Sequence, residues 1–276
     1  MDDSVQYRAF AEAVSGSEID LAHVALTIAL SEYPELDVRE YLTRLDRMAE
    51  SVSEVGGDAE DAYRRLACVD YVLFKQQGFK GNADDYYDPE NSFLNRVMTR
   101  KTGIPITLSV LYMEVARRVG LDVRGVGFPG HFLVKTECDG EEIFVDPFHG
   151  GSILSPPDLQ ELLDKLYGGR LQVQPEHLFA VSSRQIVQRM LNNIKLIYAN
   201  RQDPERCLRV VEQLVILNPD DPEQVRDRGL LRLRLEDGAG ALTDLERFLE
   251  LAPDSGSATT VKEQIKRIRK QSRALH

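Results

Sequence analysis

The sequence predicts an α+β protein on three observations. Residues 1–78 carry apolar side chains at helical spacing. Residues 122–148 hold three short apolar stretches broken by Pro-Gly and Asp-Gly, the pattern of an antiparallel sheet. From residue 180 to the end the helical spacing returns and repeats itself. The expected organisation is therefore a helical N-terminal region (1–78), a mixed core (79–179) and an all-α C-terminal segment (180–276).

In the first region "DLAHVALTIALSEYP" puts Leu21, Val24, Ala25, Ile28 and Ala29 on one face, and Pro34 stops continuation. "DVREYLTRLDRMAESV" repeats the pattern, Gly56-Gly57 breaks it, and "DAEDAYRRLACVDYVLFKQQGF" supplies a third helix ending near Gly78. Residues 79–98 are polar and rich in turn formers. In "TGIPITLSVLYMEVARRVGL" Pro105 suits the first turn of a helix, Leu108, Leu111, Tyr112 and Val115 form an apolar stripe, and Gly120 suits its C-terminus. "DVRGVGF", "HFLVKTE" and "EEIFVDPF" read as strands, the last two joined at Asp139-Gly140, a strong hairpin signal. Pro156-Pro157 opens a return to helix.

The C-terminal repeat has a definite period. "VEQLVILNPDD" aligns with "LERFLELAPDS", and both Leu217 to Leu251 and Pro219 to Pro253 span 34 residues. That is the period of tetratricopeptide (TPR) repeats, stacked helix pairs whose concave side holds partner peptides.

Composition excludes several classes. There is no apolar run of about 18 residues, so no membrane span is expected. The N-terminus "MDDSVQYRAF" has no basic region followed by an apolar core, which reads as a cytoplasmic protein. Net charge is −11; residues 1–179 hold 17 basic and 31 acidic residues, which disfavours nucleic acid as the main partner. Cys68, Cys138 and Cys207 form no CxxC pair and read as buried thiols. "GVGFPG" opens no helix, so it is not a dinucleotide loop, and the acidic run Asp84, Asp85, Asp88, Glu90 lacks the order of a calcium loop. No metal and no cofactor are expected.

Candidate chemistry centres on "GVGFPGHFLVKTECDGEEIFVDPFHGG". His131 follows Pro129-Gly130, and Asp146 closes the partner strand across the hairpin, so strand pairing can bring the two together. A carboxylate on one imidazole nitrogen leaves the other to act as a base. A nucleophile would come from the start of the preceding helix, where Thr107 and Ser109 are the available hydroxyls. Asn91 and Asn95 either line the cleft or cap their segment, and His149 is either a loop residue or a further member of the cleft.

These residues resemble the transglutaminase-like, papain-related superfamily. The stretches "YYDPENSFLNRV", "RKTGIPITLSVLYMEVARRVGL", "GVGFPGHFLVK" and "VDPFHGG" are similar to a bacterial SirB-type family that joins a transglutaminase-like core to C-terminal TPRs and is labelled as regulators of sirC expression. The resemblance implies a papain/transglutaminase-like core over about residues 79–151. It also places Gly103-Ile104-Pro105 opposite the Gly-x-Cys of active members, so Pro105 stands where their nucleophile would be.

Two functions follow. One is a non-enzymatic, regulatory interaction protein whose TPR segment holds a protein or peptide partner. The other is a hydrolase or acyl-transferase acting on an amide or ester, with His131 as base, Asp146 orienting it, and Thr107 or Ser109 as nucleophile. The missing thiol favours the first.

Overall fold

Aspartates begin most of the N-terminal helices. The computed structural model describes residues 3–57 and 61–274. Helix α1 (Asp3–Val14) is followed by α2 (Leu21–Ile28), α3 (Val38–Gly56) and α4 (Ala62–Asp70). Asp20, Asp37 and Asp61 each accept N–H groups from the first turn of the helix they precede, a cap worth about 1 kcal/mol apiece. The first residues read into the third helix, 58–60, lie outside the described residues. That helix continues from α4 as a π-helical stretch, Tyr71–Gln76.

The polar segment 79–98 holds more structure than its composition suggests. Strand β1 (Lys80–Gly81) leads through a 3-10 turn, Pro89–Ser92, into a short helix α5 (Leu94–Arg100). At seven residues α5 is too short to show a helical period, and Phe93 gives it no side-chain cap. Strand β2 (Thr102–Gly103) pairs in parallel with β1, which ties this segment to the start of α6 (Pro105–Arg118).

Helix α6 is the centre of its unit. Pro105 stands at its first position, and every residue from Pro105 to Ala116 is buried. The sequence showed one apolar stripe; the helix is covered all round, by α2, α3, α4 and α5 and by strands of the sheet. Its one acidic residue, Glu114, is neutralised by Arg117 and Arg118 at 2.9 and 2.7 Å.

The main sheet is antiparallel in the order β3 (Arg124–Val126), β4 (Leu133–Cys138), β5 (Glu141–Asp146), β6 (Ser152–Leu154). Cys138 pairs with Glu141 across Asp139-Gly140, whose φ angles of 52° and 81° fit the two-residue turn the sequence signalled. The fourth strand was not read from the sequence, because three residues carry no detectable alternation. Helix α7 (Pro156–Tyr167) covers the sheet, with Leu159 and Leu163 packed on Val126, Phe128, Leu133 and Phe144.

Five α-helices follow among the described residues: α8 (Ser183–Asn200), α9 (Pro204–Leu217), α10 (Pro222–Arg234), α11 (Gly238–Leu251) and α12 (Ala258–Ala274). Equivalent positions fall 34 residues apart: Asp203 caps α9 and Asp237 caps α11. Two compact units result, Ala13–Met190 and Leu191–His276 with Met1–Glu12, and the division falls inside α8. In the second unit Arg228 and Arg232 of α10 share two carboxylates. Asp244 accepts from Arg228 at 2.6 Å and from Arg232 at 2.8 Å, and Glu212 accepts from Arg228 at 2.9 Å. Gly229 makes room for this packing, since a Cβ there would meet Leu245 at 3.0 Å.

Candidate functional site

A turn delivers His131. Pro129 and Gly130 occupy its centre, Gly130 has φ 68°, and the His131 N–H donates to the Phe128 carbonyl at 3.1 Å. Proline followed by a left-handed residue is the signature of a type II turn. His131 therefore lies just before β4 rather than in it. The β4–β5 register pairs Val134 with Val145, which brings the end of β5 beside this turn. The imidazole is buried, and its Nε2–H donates to Asp146 Oδ2 at 2.9 Å.

Asp146 does more than hold one histidine. Its Oδ1 caps the next turn, accepting the N–H groups of Phe148 and His149 at 3.0 and 3.3 Å. Its Oδ2 also accepts Nδ1–H of His149 at 2.7 Å. Burial alone would push this carboxyl up; the hydrogen bonds and charges of His131 and His149 outweigh that and hold it below the usual carboxylate range. Because a carboxylate only accepts, neutral His131 carries its proton on Nε2. Its Nδ1 makes no hydrogen bond among the described residues.

One nitrogen of each histidine and one Asp146 oxygen lie within 4.8 Å of one another. Two imidazoles and a carboxylate are a donor set that a transition-metal ion accepts. The sequence offered all three residues to one cleft but led to no expectation of a metal there. Here the three side chains satisfy each other, with Asp146 Oδ2 taking both N–H groups.

The α6 side supplies no partner for the histidine. The Thr107 hydroxyl donates to the Asn91 carbonyl at 2.8 Å and receives the Ile104 N–H at 3.1 Å. Gly103 allows this closure, since a Cβ there would sit 2.9 Å from Thr107 Oγ1. Ser109 is fully buried and its hydroxyl has no partner among the described residues. All three cysteines are buried and free, and burial pushes the Cys138 and Cys207 thiols up, away from thiolate.

The asparagines divide. Asn91 is a loop staple: its amide donates to the Asp85 carbonyl at 2.7 Å and its oxygen accepts from Asn82 at 3.1 Å. It thereby fixes the loop that carries Tyr86. Asn95 is buried, and its side-chain oxygen has no partner among the described residues.

Aromatic rings form one wall of the site. The Phe148 ring meets His131, His149 and Tyr86 edge-on. Gly81 admits it, because a Cβ there would lie 2.6 Å from the ring. Behind the wall, Gly151 at φ 81° passes so close to Asp70 that a Cβ would strike the carboxylate. Burial raises the Asp70 carboxyl to about 7, against the Tyr112 hydroxyl that donates to it at 2.9 Å.

A second residue holds the His131 turn. Val181 donates to the Gly125 carbonyl at 2.9 Å, which fixes the entry of α8 along β3. Arg189, two turns into α8, then donates through Nη2 to the carbonyls of His131 at 2.6 Å and Phe128 at 3.3 Å. A cleft of about 740 Å³ elsewhere in this unit, lined by Glu18, Met113, Glu114, Arg117 and Ile186 among others, includes none of these residues.

The profile of the transglutaminase-like superfamily matches residues 39–192, more than half of the chain. The chain belongs to the transglutaminase-like superfamily. The tetratricopeptide repeat profile matches residues 194–266. A UPF0162 protein of Xylella fastidiosa (strain Temecula1) is 38% identical over 90% of both chains. UPF0162 protein YchA of Escherichia coli K12 is 27% identical, over 89% of this chain and 90% of its own. Protein SirB1 of Salmonella typhimurium is 27% identical over the same shares. The family read from "GVGFPGHFLVK" and "VDPFHGG" is thus the right one, and the chain is of the SirB type.

Within this transglutaminase-like chain, three residues singled out by sequence come together: His131, Asp146 and His149. The Thr107 hydroxyl donates to the Asn91 carbonyl, the Asn91 side chain staples its own loop, and Ser109 and Asn95 are buried without bonding to His131. Sequence reasoning missed Arg189, Tyr86, Phe148 and Asp70. Arg189 is 58 residues from His131, inside an ordinary helical pattern, and no local signal marks it.

Proposed function

We propose that this protein is a non-catalytic, regulatory interaction protein. Residues 79–179 serve as a folded platform, and the TPR segment from residue 180 onward presents a groove for a protein or peptide partner. One observation carries the reading: among the described residues, no hydroxyl or thiol is hydrogen-bonded to His131. A hydroxyl nucleophile needs a base within reach. Thr107 instead spends its hydroxyl on backbone groups, and Pro105 begins the helix where active relatives are expected to carry a thiol. The SirB-type relatives fit a regulatory role. No helix of the described residues is long and apolar enough to cross a membrane, and we place the protein in the cytoplasm. The reading invokes no cofactor.

The free Nδ1 of His131, held opposite a low-pKa carboxylate, is the one observation that favours the alternative of an amide or ester hydrolase or acyl-transferase using Thr107 or Ser109. An acyl-transfer assay separates the two. The full chain is incubated with p-nitrophenyl acetate, and both release of p-nitrophenol and intact mass are followed. The proposal expects no acyl adduct and a rate equal to that of His131→Ala. A rate that depends on His131 and vanishes in Thr107→Ala or Ser109→Ala would replace it with the hydrolase.

A further inference from the structure

Only one nitrogen of the Arg189 guanidinium is hydrogen-bonded, and its charge has no counter-ion among the described residues. Nη2 is committed to the carbonyls of Phe128 and His131. Nη1 and Nε make no hydrogen bond among the described residues. Beneath the guanidinium lies the ring of Phe132, 5.3 Å from its centre. The groups that act on its charge are two phenols, Tyr86 and Tyr167, and no carboxylate. Neutral phenols do not balance a cation. Partial burial without a counter-ion is costly and lowers the guanidinium's affinity for its proton. The chain has 45 acidic residues, and among the described ones none acts on this charge.

The backbone around it is kept bare. A Cβ on Gly127 would lie 3.4 Å from Arg189 Nη1, and a Cβ on Gly130 would lie 3.2 Å from the Tyr167 hydroxyl. Two glycines therefore leave room over Nη1, one of the two guanidinium nitrogens without a hydrogen bond among the described residues, and over a phenol. Neither phenol hydroxyl makes a hydrogen bond among the described residues, and both tyrosines are more than one-third exposed. Free N–H and O–H donors, a net positive charge and an aromatic wall converge beside the His131 turn.

We infer that Arg189, with Tyr86 and Tyr167, forms a carboxylate-binding site next to His131, within the unit Ala13–Met190. Its ligand is a peptide carboxylate: the anion meets Nη1 and the phenol hydroxyls, and the flanking peptide rests on the aromatic rings. Charge-assisted hydrogen bonds from an arginine to a carboxylate are among the strongest polar contacts available. The site holds whether or not His131 acts as a base. The carboxylate can be an acidic side chain or a chain terminus, and the test distinguishes them.

Three tetrapeptides are titrated into the full chain by calorimetry at low salt. Acetyl-Ala-Phe-Glu-Ala-amide offers only a side-chain carboxylate, acetyl-Ala-Phe-Gln-Ala with a free C-terminus only a terminal one, and acetyl-Ala-Phe-Gln-Ala-amide offers neither. At least one anionic peptide should bind about tenfold more tightly than the neutral one, and which of them does so names the source. The preference should disappear in Arg189→Gln. Should Arg189→Gln disturb the His131 turn, Gly127→Ala serves instead: it leaves the Arg189 side chain itself unaltered, places a methyl group 3.4 Å from Nη1 and 3.3 Å from Val181 Cγ1, and should weaken the same preference severalfold. Equal binding of all three peptides, no binding of any, or a preference that survives both variants would overturn the inference. Mass spectra of the recovered peptides keep this result separate from the enzyme question, since hydrolysis or transfer would change the peptide and binding would not.

Discussion

Two of the partly buried arginine sites among the described residues are built in opposite ways. In the TPR unit, Arg228 and Arg232 lie one helical turn apart and divide two carboxylates between them, Asp244 and Glu212. Every charge there is matched within the chain. In the core unit Arg189 grips two carbonyls but meets no carboxylate among the described residues, and the space beside Nη1 is held open by glycine. A closed charge network fixes one arrangement of helices. An open one keeps a binding group ready at the cost of some stability. The contrast separates residues that hold the fold from residues that wait for something else.

The largest expected effect comes from breaking the closed site. Asp244→Ala removes a carboxylate only 2% exposed and leaves Arg228 and Arg232 with Glu212 alone, and removing one partner of a buried ion pair costs about 3–5 kcal/mol. Urea denaturation of the full chain followed by circular dichroism measures it. A loss below about 1 kcal/mol would mean the network does not hold the unit, and the contrast with Arg189 would fall.

Next in size is Asp146→Asn, which removes charged acceptors from two histidines and two backbone N–H groups, for a loss of about 1–3 kcal/mol. It also carries a pH signature. The folded carboxyl lies below its ordinary value, so its contribution is fully present above that ordinary value and fades as pH falls through the depressed one. Thermal melts at a series of acid pH values should therefore fall less steeply in Asp146→Asn than in the unaltered chain.

Asp70 should behave in the reverse sense. Its folded carboxyl is raised to about 7, so the folded state holds a proton that the unfolded chain has released. Stability then declines as pH rises from the ordinary carboxylate range to about 7, and Asp70→Asn should remove that part of the decline in the same melts.

The smallest change is expected where the contrast is sharpest. Arg189→Gln loses hydrogen bonds to two carbonyls but also removes a partly buried charge with no counter-ion. These terms oppose each other, and the net change should stay within about 1 kcal/mol. A destabilisation as large as that of Asp244→Ala would make Arg189 a structural residue like Arg228.

How much could be read beforehand follows the same division. The 34-residue repeat, the Asp139-Gly140 hairpin and the pairing of His131 with Asp146 are local signals: a period, a dipeptide and two residues flanking one turn. Each was legible. Helix α5 and strand β6 were not, because elements of seven and three residues carry no period. The burial of α6 on all sides was hidden for another reason. Thr107, Ser109 and Glu114 are polar in sequence, and only the structure shows their surroundings: Thr107 closing onto Asn91 and Ile104, Glu114 paired with arginines, and Ser109 fully buried. The choice of Thr107 or Ser109 as nucleophile rested on position along a helix, which says nothing of what each hydroxyl already bonds. Arg189 was invisible because its meaning lies in what it lacks, and a missing counter-ion cannot be seen until the chain is folded.

The most direct measurement is the arginine side-chain Nε–Hε spectrum of the 15N-labelled full chain, assigned through Arg189→Gln and Arg228→Gln and recorded with and without the anionic tetrapeptides. The account predicts that the Arg228 signal is protected from solvent exchange and unmoved by peptide, while the Arg189 signal exchanges rapidly and shifts on addition of a carboxylate. An Arg189 signal as protected as that of Arg228, and indifferent to both anionic peptides, would contradict it.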